Sequence, residues 1–169
     1  MAPINLYEAS LGLYINGMNT LLHILQKASE APDADSFPSA KLYEDMRPLT
    51  FQIQAASNTA KKSVTRLTGR DFGAWEDNEA TITDLIARVE KTLALLKSIE
   101  PTEIEGVDDR FIALPTAEGG TAEVTLKAIT LSYSVPNFFF HVNIAYAILR
   151  SKGVPLGKDD YLEAFSSAT

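Results

Sequence analysis

The sequence predicts an all-α protein, an antiparallel four-helix bundle with a small β-hairpin before its fourth helix. Three observations predict it. Apolar residues recur at three-and-four spacing in four long stretches, as helices with one buried stripe require. Prolines and glycines stand at the ends of those stretches, where they can start or stop a helix. Two short segments of strand character bracket a glycine turn. Amphipathic helices with short connections bury their stripes best against one another, as a bundle.

The first helix covers residues 4–27, with Leu11, Tyr14, Met18, Leu21, Leu22 and Leu25 on its stripe. Gly12 and Gly17 each cost about 1 kcal/mol there relative to alanine, so they mark either close approach of another group or tolerated positions. Pro32 and Pro38 end the helix in a loop. The second helix, residues 48–67, opens on Pro48, carries Leu49, Ile53, Ala56, Ala60, Val64 and Leu67, and closes at Gly69. A connection at 72–77 holds the single tryptophan. The third helix has the cleanest pattern, Ile82, Leu85, Ile86, Val89, Leu93, Leu96 and Ile99, and runs until Pro101. Segments 110–114 and 122–126 flank Glu118-Gly119-Gly120 as a hairpin. The fourth helix opens at Pro136, continues through Phe138, Val142, Ala145 and Leu149, and stops at Gly153, with Pro155 just beyond.

At 169 residues and 46% hydrophobic content the chain can bury a core without a staple, which predicts one domain over residues 1–169. There is no cysteine, which excludes disulfides, thiolate metal sites and a cysteine nucleophile. The opening residues lack a signal pattern and no segment approaches eighteen uninterrupted apolar residues, so the expectation is a cytoplasmic protein with no membrane partner. Fifteen Lys plus Arg against 22 Asp plus Glu give a net charge of −7, which repels a phosphate backbone and argues against nucleic acid as a partner.

The chemistry-bearing residues are few. Asn137 and His141 are four positions apart, so both side chains lie on one helix face and can share a ligand. The competing reading of His141, set among Phe138, Phe139 and Phe140, is a core or boundary histidine satisfied by one hydrogen bond. His23 lies beside the stripe of the first helix and reads as a surface or boundary residue. Glu8, Glu44 and Asp45 near helix starts could complete a metal site, although helix-start charges read the same way. Of the tyrosines, Tyr14 falls on the buried stripe, where a phenol needs a partner. No nucleophile elbow, phosphate loop, dinucleotide fingerprint or HExxH motif occurs.

The run Pro136-Asn137-Phe138-Phe139-Phe140-His141-Val142-Asn143-Ile144-Ala145-Tyr146-Ala147-Ile148-Leu149-Arg150, continued from Gly153 through Leu162, resembles the closing signature of a family of unknown function grouped with the DinB/YfiT-like metalloenzyme superfamily. Asp45-Met46-Arg47-Pro48-Leu49 with Gln52 and Gln54, Ala60-Lys61, and the stretch from Thr81 to Thr92 resemble it too, so the likeness covers nearly the whole chain. The resemblance implies a four-helix bundle, often dimeric, that holds a metal at one end through histidines of helices two and four. It also implies kinship with thiol-dependent transferases and isomerases. His141 matches the helix-four histidine of that branch. Immediately before the Ala-Lys pair, where the branch usually has histidine, this chain has Thr59, a poor ligand for first-row divalent metals.

The leading functional expectation is therefore a small-molecule-handling bundle with a degenerate metal site. In it His141 serves as acid or base on a largely apolar organic molecule, in an isomerisation, dehydration or cyclisation. Asn137 and Tyr14 are the orienting groups, Thr59, Phe138 and Tyr133 contact the substrate, and no cofactor is favoured. Two alternatives stand beside it. One is a non-catalytic ligand-binding or scaffold bundle. The other is a metal-dependent transferase or isomerase whose divalent metal is held by His141, His23 and Asp45. By resemblance, the partner is a second copy of the chain.

Overall fold

The stripes read from the sequence are the surfaces that pack. Leu11, Tyr14, Met18, Leu21 and Leu25 are all buried, as are the six apolar positions of the second helix and Phe138, Val142, Ala145 and Leu149 of the last. Leu22 is only partly buried, and Ile24 takes its place in the core. In this computed structural model, which describes residues 4–166, a wide π turn at Glu8–Gly12 leads into α1, Leu13–Ser29. Helix α2, Leu49–Thr68, follows Pro48 and ends where Gly69 turns left-handed at φ +74°. Helix α3, Ile82–Lys97, starts on a capping box in which Thr81 Oγ1 accepts from the Asp84 N–H (3.1 Å) and the Asp84 carboxylate accepts from the Thr81 N–H (2.9 Å).

The hairpin pairs β1, Phe111–Pro115, with β2, Thr121–Thr125, in antiparallel register from Phe111↔Thr125 to Pro115↔Thr121. Each strand differs by one residue from its predicted bounds. The last long helix starts earlier than Pro136 predicts. Thr125 Oγ1 accepts from the Ala128 N–H (3.1 Å) and caps α4, Leu126–Ile129, which passes through a π turn, Thr130–Ser134, into α5, Val135–Ser151. Pro136 thus stands within a continuous helical segment. The π turn accommodates it: the Val135 N–H bonds five residues back to Thr130, shifting the ladder just where the proline lacks its donor.

A further helix that the sequence reading did not include, α6, Lys158–Ser166, follows the turn after Gly153 and brings the count above four. Asp160, in its first turn, accepts from the N–H of Gly157 just before the helix at 2.7 Å. It docks on α1 through Thr20 Oγ1 donating to the Tyr161 carbonyl (2.9 Å) and through Asp160, which meets Lys27 (2.7 Å) and His23 (2.9 Å). No helix of the described residues is long and apolar enough to cross a membrane.

The helix directions correct the all-antiparallel expectation. Helices α2 and α5 do oppose one another, with Thr59 facing Asn137 and Gln52 facing His141. Helices α1 and α5 run the same way: their leading π turns lie together, and both Tyr14 and Gly17 meet Phe138. Helices α2 and α3 are also parallel, since Gln54 reaches Glu79, Ser57 bonds Thr92 and Arg70 bonds Glu103. The order is up-down-down-up, and α1 neighbours α3 and α5 while α2 sits diagonally across. The cause is the connection at 69–81, which runs back along α2 through Lys61 to Gly73, Asn58 to Asp77 and Gln54 to Glu79. When extended, it reaches about 40 Å, enough to retrace a helix of 20 residues, about 30 Å long.

Arg88 of α3 pins that connection. Its buried guanidinium donates to Ser57 Oγ (2.8 Å), the Glu76 carbonyl (2.9 Å), Glu79 (2.7 Å), Asn58 (2.7 Å) and Asp77 (2.9 Å). Those bonds occupy all five N–H groups of an arginine, which is what makes its burial tolerable. Trp75 covers the cluster, with Arg88, Lys61 and Lys91 all within 5.4 Å of its ring centre.

Candidate functional site

A groove of about 320 Å³ lies between α2 and the last helix. Phe51, Ala55, Asn58, Thr59, Lys62 and Arg66 line it from α2, and Tyr133, Ser134, Asn137 and His141 from the last helix. Four of the six residues that the sequence singles out come together here. His141, Asn137, Thr59 and Tyr133 meet in the groove, and Tyr133 is largely exposed at its rim. Phe138 does not line it: the ring is wholly buried against Tyr14 (centroids 4.9 Å apart) and over Gly17. A Cβ on Gly17 would come within 2.8 Å of Phe138 Cζ, so close approach is the reason for that glycine, whereas Gly12 has ordinary space around it.

Tyr14, expected to orient substrate, is instead a core residue behind the groove wall. Its hydroxyl bonds Ser63 Oγ at 3.1 Å and also engages Ser134, and burial foremost pushes its phenol up to about 12. The same stripe position that buried the ring drew the hydroxyl to the nearest small polar side chains.

His141 is half buried. Its Nδ1 pairs with Gln52 Oε1 at 2.8 Å, and Gln52 Nε2 donates to the Arg47 carbonyl at 3.0 Å. The second bond fixes the amide orientation, so the atom facing His141 is an acceptor and Nδ1 must carry the proton. In the neutral ring, Nε2 then keeps its lone pair. Burial lowers the imidazole pKa below its ordinary 6.5, which favours that neutral form. Phe51 and Phe140 stand edge-on to the ring, 5.9 and 5.3 Å away, and Arg47 lies over Phe51. One turn earlier, Asn137 Nδ2 donates to Thr59 Oγ1 at 2.9 Å, leaving the Thr59 hydroxyl proton and the other Asn137 N–H for a ligand.

Gln52 is a member of the candidate site that its place in the sequence did not single out. Its signal was present, since a glutamine between Leu49 and Ala56 interrupts an otherwise apolar stripe and is buried there.

The metal set His141, His23 and Asp45 does not assemble. His23 is committed to Asp160 on the α1–α6 face, and Asp45 is exposed in the turn before α2. Among the described residues no three His, Cys, Asp or Glu side chains gather as a metal-holding group. Around His141 the donors are one imidazole, already bonded at Nδ1, a hydroxyl and two amides, a set unsuited to holding a first-row divalent metal firmly.

The fold is that of a DinB-like helical bundle. The chain is similar to the crystal structure of a DinB family member protein from Shewanella denitrificans, at a TM-score of 0.84 and 30% identity over 93% of this chain and 91% of that one. More particularly, residues 6–162 match the family described as a domain of unknown function, DUF1993, and the chain belongs to that family. No curated protein matches it.

Proposed function

We propose that the α2–α5 groove binds a small organic carbonyl compound and that His141 moves a proton on it without a metal. The observation that supports this reading is the Gln52–His141 pair, which holds the ring with Nδ1 protonated and Nε2 available as a base. A pKa held below 6.5 keeps the ring in its basic form at neutral pH. Thr59 and Asn137, bonded to each other, supply a hydroxyl and an amide N–H that can polarise a carbonyl oxygen. A proton taken by Nε2 from carbon and returned to another position makes an isomerisation, and loss of a neighbouring hydroxyl as water makes a dehydration. Tyr14 takes no direct part, because its hydroxyl is engaged in the core.

The test is solvent-deuterium exchange into small carbonyl compounds followed by NMR, with wild type and His141→Gln compared. Exchange by the wild type that the variant loses, with folding unchanged, supports the reading. Equal exchange by both proteins would remove His141 from the role, and exchange by neither would sink the catalytic reading.

A further inference from the structure

Lys62 and Arg66 stand one turn apart on α2, and both line the groove that holds Thr59, Asn137 and His141. Other cations of this part of the molecule are engaged: Arg88 with Asp77 and Glu79, Arg70 with Glu103, and Lys61 with the Gly73 carbonyl. Among the described residues Lys62 and Arg66 have neither an ion pair nor a side-chain hydrogen bond. No aspartate or glutamate lines the groove, in a chain with 22 of them and a net charge of −7.

Two unpaired cations and a neutral imidazole around a pocket without acids make a local positive field in an acidic protein, and partly enclosed walls strengthen it. Phe51 and Ala55 give the same groove an apolar side. We infer that the ligand is an organic anion, with a carboxylate or phosphate head held by Lys62 and Arg66 and an apolar body against Phe51 and Ala55, next to His141. This names the substrate class of the proposed acid/base site and rests on that reading. A guanidinium presents a fork to two oxygens of either head, and the lysine adds a mobile point charge. The head group would anchor the molecule one to two turns of α2 beyond Thr59, with the body reaching back along the groove towards His141.

Three probes with one ring and different heads test this: benzoate, phenyl phosphate and benzyl alcohol, titrated into protein carrying isotope-labelled histidine. The expected result is that at least one anion moves the His141 signals and binds about tenfold or more tightly than the alcohol, as charge-assisted contacts predict. That preference should shrink at high salt and vanish in Lys62→Gln/Arg66→Gln, whose melting temperature should match wild type because both side chains lack partners. Whichever of benzoate and phenyl phosphate binds better identifies the head. Benzyl alcohol binding as well as the anions, or an anion preference that survives the double substitution, overturns the inference and leaves the proton-transfer reading of His141 standing. No shift of His141 with any probe overturns both.

Discussion

Two polar clusters flank α2, and they are opposites. On the α3 side, Arg88 spends every N–H it has on Ser57, Asn58, Glu76, Asp77 and Glu79, under the cover of Trp75. On the α5 side, His141, Asn137 and Thr59 are each held by one bond and keep capacity to spare, while Lys62 and Arg66 lack partners among the described residues. A saturated cluster holds a shape. A cluster held on one side and open on the other can meet a ligand, and the difference between them lies in spare hydrogen-bonding capacity rather than in how polar they are.

The largest effect that could break this comparison is at Arg88. Arg88→Ala leaves Glu79 and Ser57 without their cation and frees the connection at 69–81, and it should cost about 3–5 kcal/mol in chemical denaturation, as removal of one partner from a buried pair does. A loss under about 1 kcal/mol would show that the cluster does not hold the parallel α2–α3 arrangement. Next is Gly17→Ala, which drives a methyl against the Phe138 ring and should cost about 1–3 kcal/mol by overpacking. Because Phe138 backs the groove, the same variant should also perturb the His141 NMR signals, and unchanged signals would separate the core from the site.

Smaller effects are expected where the groups are held once. Tyr14→Phe should cost about 1 kcal/mol, the usual worth of one hydrogen bond. Its folded pKa is raised from 10 to about 12, so the wild-type phenol contributes stability that is present below pH 10 and lost as pH rises towards 12. The phenylalanine variant should lose that alkaline slope in denaturation curves. His141→Gln should cost least, under about 1 kcal/mol, while abolishing the ligand response. Its folded pKa lies below 6.5, so the folded state takes up fewer protons than the unfolded chain as pH falls from there. Stability from this group is full above pH 6.5 and is lost as pH falls through the folded pKa. The variant should show a flatter stability curve over that window, and an unchanged slope would mean that the ring is not desolvated in the fold.

Much of the fold was legible because periodicity is local. Leu49, Ile53, Ala56, Ala60, Val64 and Leu67 point one way in any helix, and every one of them is buried. Within the site, the spacing of Asn137 and His141 was enough to put both on one face, and they do share a groove with Thr59 and Tyr133. Tyr14 and Phe138 carried the same polarity and aromatic signals, yet they turn into the core, since spacing tells which face a residue occupies and not what that face meets. Gln52 was visible as an interruption of the stripe, but its role depends on a histidine 89 positions away.

By itself, then, the sequence determined where the long helices lie, which of their sides are apolar, where the glycine turn of the hairpin falls and that no thiol chemistry is available. Those properties follow from neighbours within a few residues, through propensity, side-chain spacing and composition. Only the tertiary structure decided the up-down-down-up order, the passage of the last helix through Pro136, the docking of α6, and the sorting of polar residues into a closed cluster at Arg88 and an open one at His141. Each of these turns on which helix lies beside which. That choice was made by a connection long enough to retrace α2 and by a guanidinium whose five donors could be satisfied in one arrangement of the chain.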